Sequence, residues 1–226
     1  MHKIFLGLLS LALLSPTPVR AENTNFVPRT LSALGCMKLK ECTEDVYSVK
    51  GTDDLNVFGD LDLADDEAEE IDALLAALAK VNVDIYIADT RYFPRGMRAV
   101  YYTDNNTVYL NGTATGVPVS LIQSLRHEAW HTAQDCMAGS IDNTFIAVIF
   151  NDDQIPERYR RSAQLRYGTN PFLVKAIPWE QGAIYAAATP NLTVEALEAC
   201  STGEMWNVYE PTPMTREWLV DNGYIL

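Results

Sequence analysis

Residues 117–137 read VPVSLIQSLRHEAWHTAQDCM, and this stretch carries both a helix pattern and a chemical motif. Pro118 suits the first turn of a helix, and Gly139 follows the last periodic residue. The apolar residues recur at helical spacing, at Leu121, Ile122, Leu125, Ala129 and Ala133. The pattern predicts a helix over residues 118–137 with one apolar stripe turned toward a core.

His127 and His131 lie four positions apart on this predicted helix, and Glu128 follows the first of them. Residues at this spacing are about 40° apart around a helix axis and about 6 Å apart along it, so both imidazoles project from one face. Two such nitrogens can share one zinc ion while the adjacent glutamate acts as a base. The alternative is an ordinary pair of surface or core histidines. Chance placement would give this arrangement about once in a thousand cases, which favours the metal site.

A catalytic zinc ion requires a third protein ligand, and the chain has only one further histidine, His2. If His2 is lost with a leader peptide, the third ligand must be a carboxylate. Glu180, within AIPWEQGAIYAAA (residues 176–188), opens a predicted helix whose glycine and alanines permit close packing against the motif helix. Asp135 and Glu157 are rival ligands. A first-turn glutamate favoured by the helix dipole is the alternative role for Glu180.

The N-terminus has the layout of a secretory signal. Lys3 precedes IFLGLLSLALL, residues 4–14, an apolar run much shorter than the about 20 residues that span a bilayer. Prolines and small residues follow this run and end before Glu22. We predict a signal peptide over residues 1–21, a mature chain that begins near Glu22, a secreted or periplasmic location and no stable membrane anchor.

The chain is acidic, with 17 basic and 30 acidic residues and a formal net charge of −13. A charge of this sign repels the phosphates of nucleic acids and of anionic lipids. Nucleic acid is therefore excluded from the expected partners, and a peptide or protein substrate is the partner that we expect.

Four cysteines are present, and an even number in an exported protein favours two disulfides. Four cysteines allow three pairings. We predict Cys36–Cys42, which closes a small local loop, and Cys136–Cys200, which ties the end of the motif helix to the C-terminal region.

The remaining sequence predicts an α+β domain. Residues 22–50 show no clear period and are interpreted as an N-terminal arm or short pro-segment, followed by a single domain over residues 51–226. We predict a helix over 66–81, a strand over 83–89, a hairpin over 98–112, and further helices over about 156–167, 179–189, 193–200 and 214–221. The expected architecture is a small antiparallel or mixed sheet followed by the motif helix and a mostly helical C-terminal half. The backbone of Val108–Asn111 is expected at a sheet edge, where an extended peptide can pair with it.

The hairpin, the H-E-x-x-H helix and the downstream helical glutamate together resemble the gluzincin branch of the zincin metallopeptidases, which includes thermolysin. The resemblance covers residues 83–189, and HEAWHTAQ is also similar to the HExxHxxQ form of small exported bacterial peptidases. It implies a zincin-like fold, zinc held by His127, His131 and Glu180, and peptide-bond hydrolysis with Glu128 as general base and proton shuttle.

The chain departs from the thermolysin-like pattern at two points. Those proteins carry an aspartate four residues after the ligand glutamate, where this chain has Ile184, and they supply a further histidine to stabilise the oxyanion. A tyrosine would serve instead, and the candidates are Tyr185 and Tyr167, each of which could equally be a packed ring. These departures support a second hypothesis, an exported, zinc-stabilised binding protein that has lost catalysis. Hydrolysis of a non-peptide or cell-wall amide is a third.

Overall fold

The computed structural model describes residues 31–139, 145–171, 173–210 and 212–223. The predicted signal peptide and Glu22 lie outside these residues. The α-helices are α1 (Leu31–Lys38), α2 (Asp65–Lys80), α3 (Pro118–Ala138), α4 (Glu157–Tyr167), α5 (Ile177–Ala187), α6 (Leu192–Ser201), α7 (Met205–Tyr209) and α8 (Arg216–Asp221). The strands are β1 (Val46–Ser48), β2 (Asp84–Ala88), β3 (Ala99–Tyr102) and β4 (Thr107–Asn111). Short 3-10 helices occupy Thr52–Phe58, Thr90–Tyr92, Asp152–Gln154 and Val174–Ala176.

The predicted motif helix is present as α3. It begins at Pro118, whose missing N–H is not needed in the first turn, and it ends at Gly139 in the left-handed region with φ 86°. Both ends therefore follow from local sequence. The other predicted helices, the strand and the hairpin are also present, within a few residues of their expected bounds.

The four strands form one mixed sheet in the order β1-β2-β4-β3. β2 and β4 run parallel, with Tyr86 opposite Tyr109, and the two outer pairs are antiparallel. The α+β prediction with a small mixed sheet is confirmed, and its assignment as zincin-like stays a prediction. The predicted edge position of Val108–Asn111 is wrong. These residues belong to β4, which is buried throughout and lies between β2 and β3, so β3 is the edge strand on that side.

The two faces of the sheet are covered by different helices. Along β4, Val108 and Leu110 face a core that includes apolar residues of α2 and α3, whereas Tyr109 faces a smaller cluster that contains Leu34 and Met37 of α1. This alternation is the period of two that a strand imposes. The sheet is therefore enclosed between α2 and α3 on one side and α1 on the other.

The predicted disulfides are both present. Cys36–Cys42 closes the turn after α1, and Cys136–Cys200 joins the last turn of α3 to α6. Part of the segment 22–50 belongs to the folded body, because α1 covers the sheet and β1 pairs with β2. Neither of these elements has a recognisable sequence pattern. In the described part of the chain, no helix combines the length and the apolar character that a bilayer span requires.

Helix α3 is the centre of the C-terminal half, where α5 and α6 pack against it. Gly182 makes the close approach of α5 possible, since a Cβ atom at this position would lie 3.1 Å from Nε1 of Trp130. The small residues expected on this face, Ala183 and Ala186, are fully buried. This packing places the N-terminal turn of α5 beside the middle of α3.

Candidate metal centre

Three side chains from two helices converge at this packing contact. The Nε2 atoms of His127 and His131 are 3.3 Å apart. From α5, Glu180 places Oε2 3.3 Å from Nε2 of His127 and Oε1 3.7 Å from Nε2 of His131. One possible ligand atom from each residue lies within 4.8 Å of those from the other two. The structure thus brings together the three residues predicted as metal ligands.

These distances fit a tetrahedral metal ion. Two nitrogen ligands, each about 2.05 Å from a tetrahedrally coordinated zinc ion, are about 3.3 Å apart. Glu180 Oε2 is buried and makes no hydrogen bond with any described residue. Buried carboxylate oxygens normally have a partner, so an acceptor of this kind beside two imidazoles fits a cation. The donor set of two nitrogens and one oxygen is that of a catalytic zinc site.

Gln134 orients the second histidine. Its Oε1 lies 2.7 Å from Nδ1 of His131, while its Nε2 donates to the backbone carbonyl of Trp179 at 3.3 Å. Because the amide nitrogen is engaged with a carbonyl, Oε1 must be the atom that faces the imidazole, and it accepts the Nδ1 proton. His131 Nε2 then carries a lone pair directed at His127 and Glu180, as a metal ligand requires.

Glu180 is held in its charged form. Burial acts to raise its pKa, but His127, His131 and the Tyr167 side chain outweigh burial and lower the pKa to about 2. Burial and the neighbouring Glu180 raise the pKa of Tyr167, so its phenol keeps its proton. The site therefore contains an anionic oxygen ligand with a neutral hydroxyl donor beside it.

Glu128 lies on the same side of α3 without joining the ligand group. Burial, and secondarily the charge of Glu180, raises its pKa to about 7, while His131 and the Tyr101 backbone N–H act in the opposite direction. A carboxyl group with this pKa can accept a proton near neutral pH and release it again.

One open cleft of about 1150 Å³ is lined by the three predicted ligands and by Glu128. The edge strand β3 lines it through Ala99, Val100 and Tyr101, and α4 lines it through Tyr159, Ser162 and Arg166. Because β3 borders the cleft, an extended chain bound there would lie beside Glu128 and the ligand group.

The structure separates the other predicted residues from this centre. Asp135 is fully buried and contacts the Tyr101 hydroxyl at 2.6 Å, and Glu157 is exposed beside a different surface pocket. Neither rival belongs to the ligand group. Tyr185 packs against Phe150 and Tyr159 and does not appear among the described residues that line the cleft, whereas Tyr167 does.

Sequence reasoning missed two features of the centre. Gln134 is the last residue of the HExxHxxQ pattern but was given no role there, although its position three residues after His131 places both on one helix face. The contribution of β3 depends on strand order, which the hairpin pattern does not determine.

Comparison with known protein families, curated proteins and solved structures gave no match for this chain. The functional interpretation therefore rests on the geometry of the site itself.

Proposed function

We propose that this protein is an exported, zinc-dependent hydrolase of peptide bonds. The observation that carries the proposal is the convergence of His127, His131 and Glu180 in an open cleft, with Glu128 beside them but outside the ligand group. Two disulfides support export, since such bonds persist in oxidising compartments.

His127, His131 and Glu180 would hold the zinc ion. When bound, zinc supplies a Lewis acid for the scissile carbonyl and a water whose pKa is about 7. Glu128 accepts the proton of the attacking water and delivers it to the nitrogen of the leaving amine. This role requires a carboxyl group that changes its protonation state near neutral pH, and the buried position of Glu128 supports it.

Tyr167 is our candidate for the hydrogen-bond donor to the developing oxyanion. It lines the cleft beside Glu180 and its raised pKa keeps the hydroxyl protonated. Tyr185, the other candidate from sequence, is packed among aromatic rings. The structure therefore favours Tyr167 for this role.

The edge strand β3 would bind the substrate backbone. Among the described strands β3 pairs only with β4, so its outer edge offers backbone groups to an extended chain, apart from the Tyr101 N–H, which donates to Glu128. Backbone pairing of this kind is specific to polypeptides and favours peptide bonds over other amides.

A binding protein without catalysis is the second candidate. The observation in its favour is Ile184, which packs in an apolar cluster with Ala163 and Ile177 at the position where thermolysin-like enzymes place an aspartate. In that case the metal would hold α3 and α5 together, and the cleft would retain a peptide without cleaving it.

Metal analysis and peptide cleavage test the proposal together. The purified protein is expected to contain about one equivalent of zinc, and His127→Ala about none. Gln123→Ala, on the same helix and outside the ligand group, is the control for zinc content. Removal of zinc by a chelator should abolish cleavage of a peptide library, and added zinc should restore it. Zinc retained by His127→Ala contradicts the site, and zinc without cleavage supports the binding protein.

A further inference from the structure

The charges in the cleft are opposite to those of the whole chain. The chain has a net charge of −13, yet the charged residues that line the cleft, apart from the site itself, are all arginines. They are Arg95, Arg98, Arg158 and Arg166. The acidic residues in the lining are Glu128 and Glu180, and both belong to the candidate metal centre. With a divalent cation bound, no negative charge in the described lining is left to offset the arginines.

The four arginines come from two separate elements that line the cleft. Arg95 and Arg98 belong to the segment that leads into β3, and Arg158 and Arg166 belong to α4. On α4, Ser162 lies midway between the two arginines and also lines the cleft, so one face of the helix is involved. Eight residues of helix place Arg158 and Arg166 about 12 Å apart along its axis.

These arginines are available to a ligand. None of the four makes an ion pair with an acidic side chain of the described residues, in contrast to Arg91 and Arg126. Arg158 is oriented by Tyr159, to whose hydroxyl it donates a hydrogen bond of 2.8 Å and over whose ring it lies at 4.6 Å. The ring of Tyr159 in turn contacts that of Tyr185 at 5.3 Å. This guanidinium is therefore positioned before any ligand binds.

We propose that the cleft selects acidic polypeptide segments, with carboxylates bound by Arg95 and Arg98 before β3 and by Arg158 and Arg166 on α4. The inference rests on the proposed function, because it takes the cleft beside the metal centre as the substrate site. An extended chain rises about 3.3 Å per residue, so the distance between the two α4 arginines corresponds to about four substrate residues. Acidic residues over such a stretch are the expected specificity.

Polypeptide is favoured over other polyanions by the position of β3. Its open edge borders the cleft and can form backbone hydrogen bonds with an extended chain, whereas a nucleic acid or sulfated sugar has no backbone amides to pair with it. The arginines would then select for acidic side chains, and β3 would select for a polypeptide backbone.

The test is a binding measurement that does not depend on turnover. Fluorescence anisotropy is recorded for two labelled peptides that differ only in four consecutive glutamates or glutamines, with the zinc-loaded Glu128→Gln protein. The glutamate peptide should bind more tightly, and high salt should remove the difference. In this background, Arg95→Gln/Arg98→Gln and Arg158→Gln/Arg166→Gln should each weaken its binding roughly 2- to 30-fold, the range for two exposed ion pairs. Arg161→Gln/Arg216→Gln has the same change in charge outside the cleft lining and should bind like the parent.

Equal affinity for the two peptides overturns the inference, as does an equal loss in the control variant. An oligonucleotide of the same charge that competes as well as the glutamate peptide also overturns it, since the site would then be a general polyanion site.

Failure of the proposed function would give a different result. If the wild-type protein cleaves neither peptide but prefers the glutamate peptide, the inference stands and catalysis fails. If it cleaves both peptides equally well, catalysis stands and the inference fails.

Discussion

Helix α3 carries two buried carboxyl groups with similar acidity and different surroundings. Glu128 and Asp135 lie seven residues apart on one face, both contact Tyr101 of the edge strand, and burial raises the pKa of each to about 7. Glu128 lines the cleft beside the ligand group, whereas Asp135 is completely enclosed. A raised pKa therefore reports burial in both cases, and access to a reactant distinguishes the candidate base from a structural acid.

Asp135 is joined to the edge strand through the hydroxyl of Tyr101. The amide nitrogen of Asn106 donates to the carbonyls of Val81 and Asn82, so its Oδ1 faces the Tyr101 hydroxyl at 2.8 Å. The same hydroxyl donates to Oδ2 of Asp135 at 2.6 Å. Burial has the larger effect on the pKa of Asp135 and raises it, whereas this hydrogen bond acts to lower it.

The largest expected effect is on the rate of peptide cleavage. Glu128→Gln keeps the shape of the side chain but cannot accept a proton, so the rate should fall about 10²- to 10⁴-fold while zinc content is unchanged. Asp135→Asn imitates the neutral acid and should cleave near the wild-type rate. Cleavage by both variants at matched zinc content is the measurement. A Glu128→Gln variant as fast as wild type would exclude Glu128 as the base.

Asp135 should also make the stability of the protein depend on pH. The pKa of Asp135 rises from an ordinary 3.8 to about 7 on folding, so the folded state binds its proton more tightly than the unfolded state does. Its contribution to the free energy of unfolding is present at low pH and is lost as pH rises from about 4 to about 7, by on the order of 2–4 kcal/mol. Urea unfolding of zinc-free, oxidised wild type and Asp135→Asn should show the wild type losing stability relative to the variant over this range. Parallel pH profiles would show that Asp135 is ionised in the fold.

Loss of the hydrogen-bond partner of His131 is expected to lower the affinity for the metal ion although all three predicted ligands remain. Gln134→Ala removes the acceptor for the Nδ1 proton, and loss of such a partner lowers metal affinity about 10- to 100-fold. Competition with a zinc chelator measures the change. Gln123→Ala should leave the affinity unchanged, and an equal effect of both variants would mean that the loss comes from α3 as a whole.

The smallest effect concerns the distance between α3 and α5. In Gly182→Ala the new methyl group meets Nε1 of Trp130 at 3.1 Å, so α5 must shift by a few tenths of an ångström. The free energy of unfolding should fall by about 1 kcal/mol, and zinc affinity should fall with it because Glu180 moves with α5. Gly35→Ala in α1, where no atom lies within 4 Å of the new Cβ, should instead stabilise the protein by about 0.5–1 kcal/mol. If Gly182→Ala is as stable as wild type and binds zinc with unchanged affinity, the added methyl group does not displace Glu180 and the spacing of α3 and α5 does not limit zinc binding.

The surroundings of Glu128 and of Asp135 also differ in how far they can be predicted from sequence. His127, Glu128 and His131 lie within one helical turn, so local periodicity alone places them together. Glu180 required elimination, because the absence of a third histidine left only carboxylates as ligands. The partnership of Asp135 with Tyr101 and the edge position of β3 depend on strand order, since β4 pairs with β2 across a long connection that no local pattern encodes. Contacts that depend on long-range strand pairing could not be predicted from the sequence.

The Cys136–Cys200 disulfide has a consequence for the order in which the centre assembles. Along the chain, His131 and Glu180 are 49 residues apart, but through the disulfide they are joined by only 5 residues on one side and 20 on the other. Halving the length of a flexible connection lowers the entropy lost in closing it by about 0.6 kcal/mol. Formation of this disulfide before metal binding should therefore help the centre to assemble, and an oxidised chain should capture its metal ion about threefold more tightly than a reduced one.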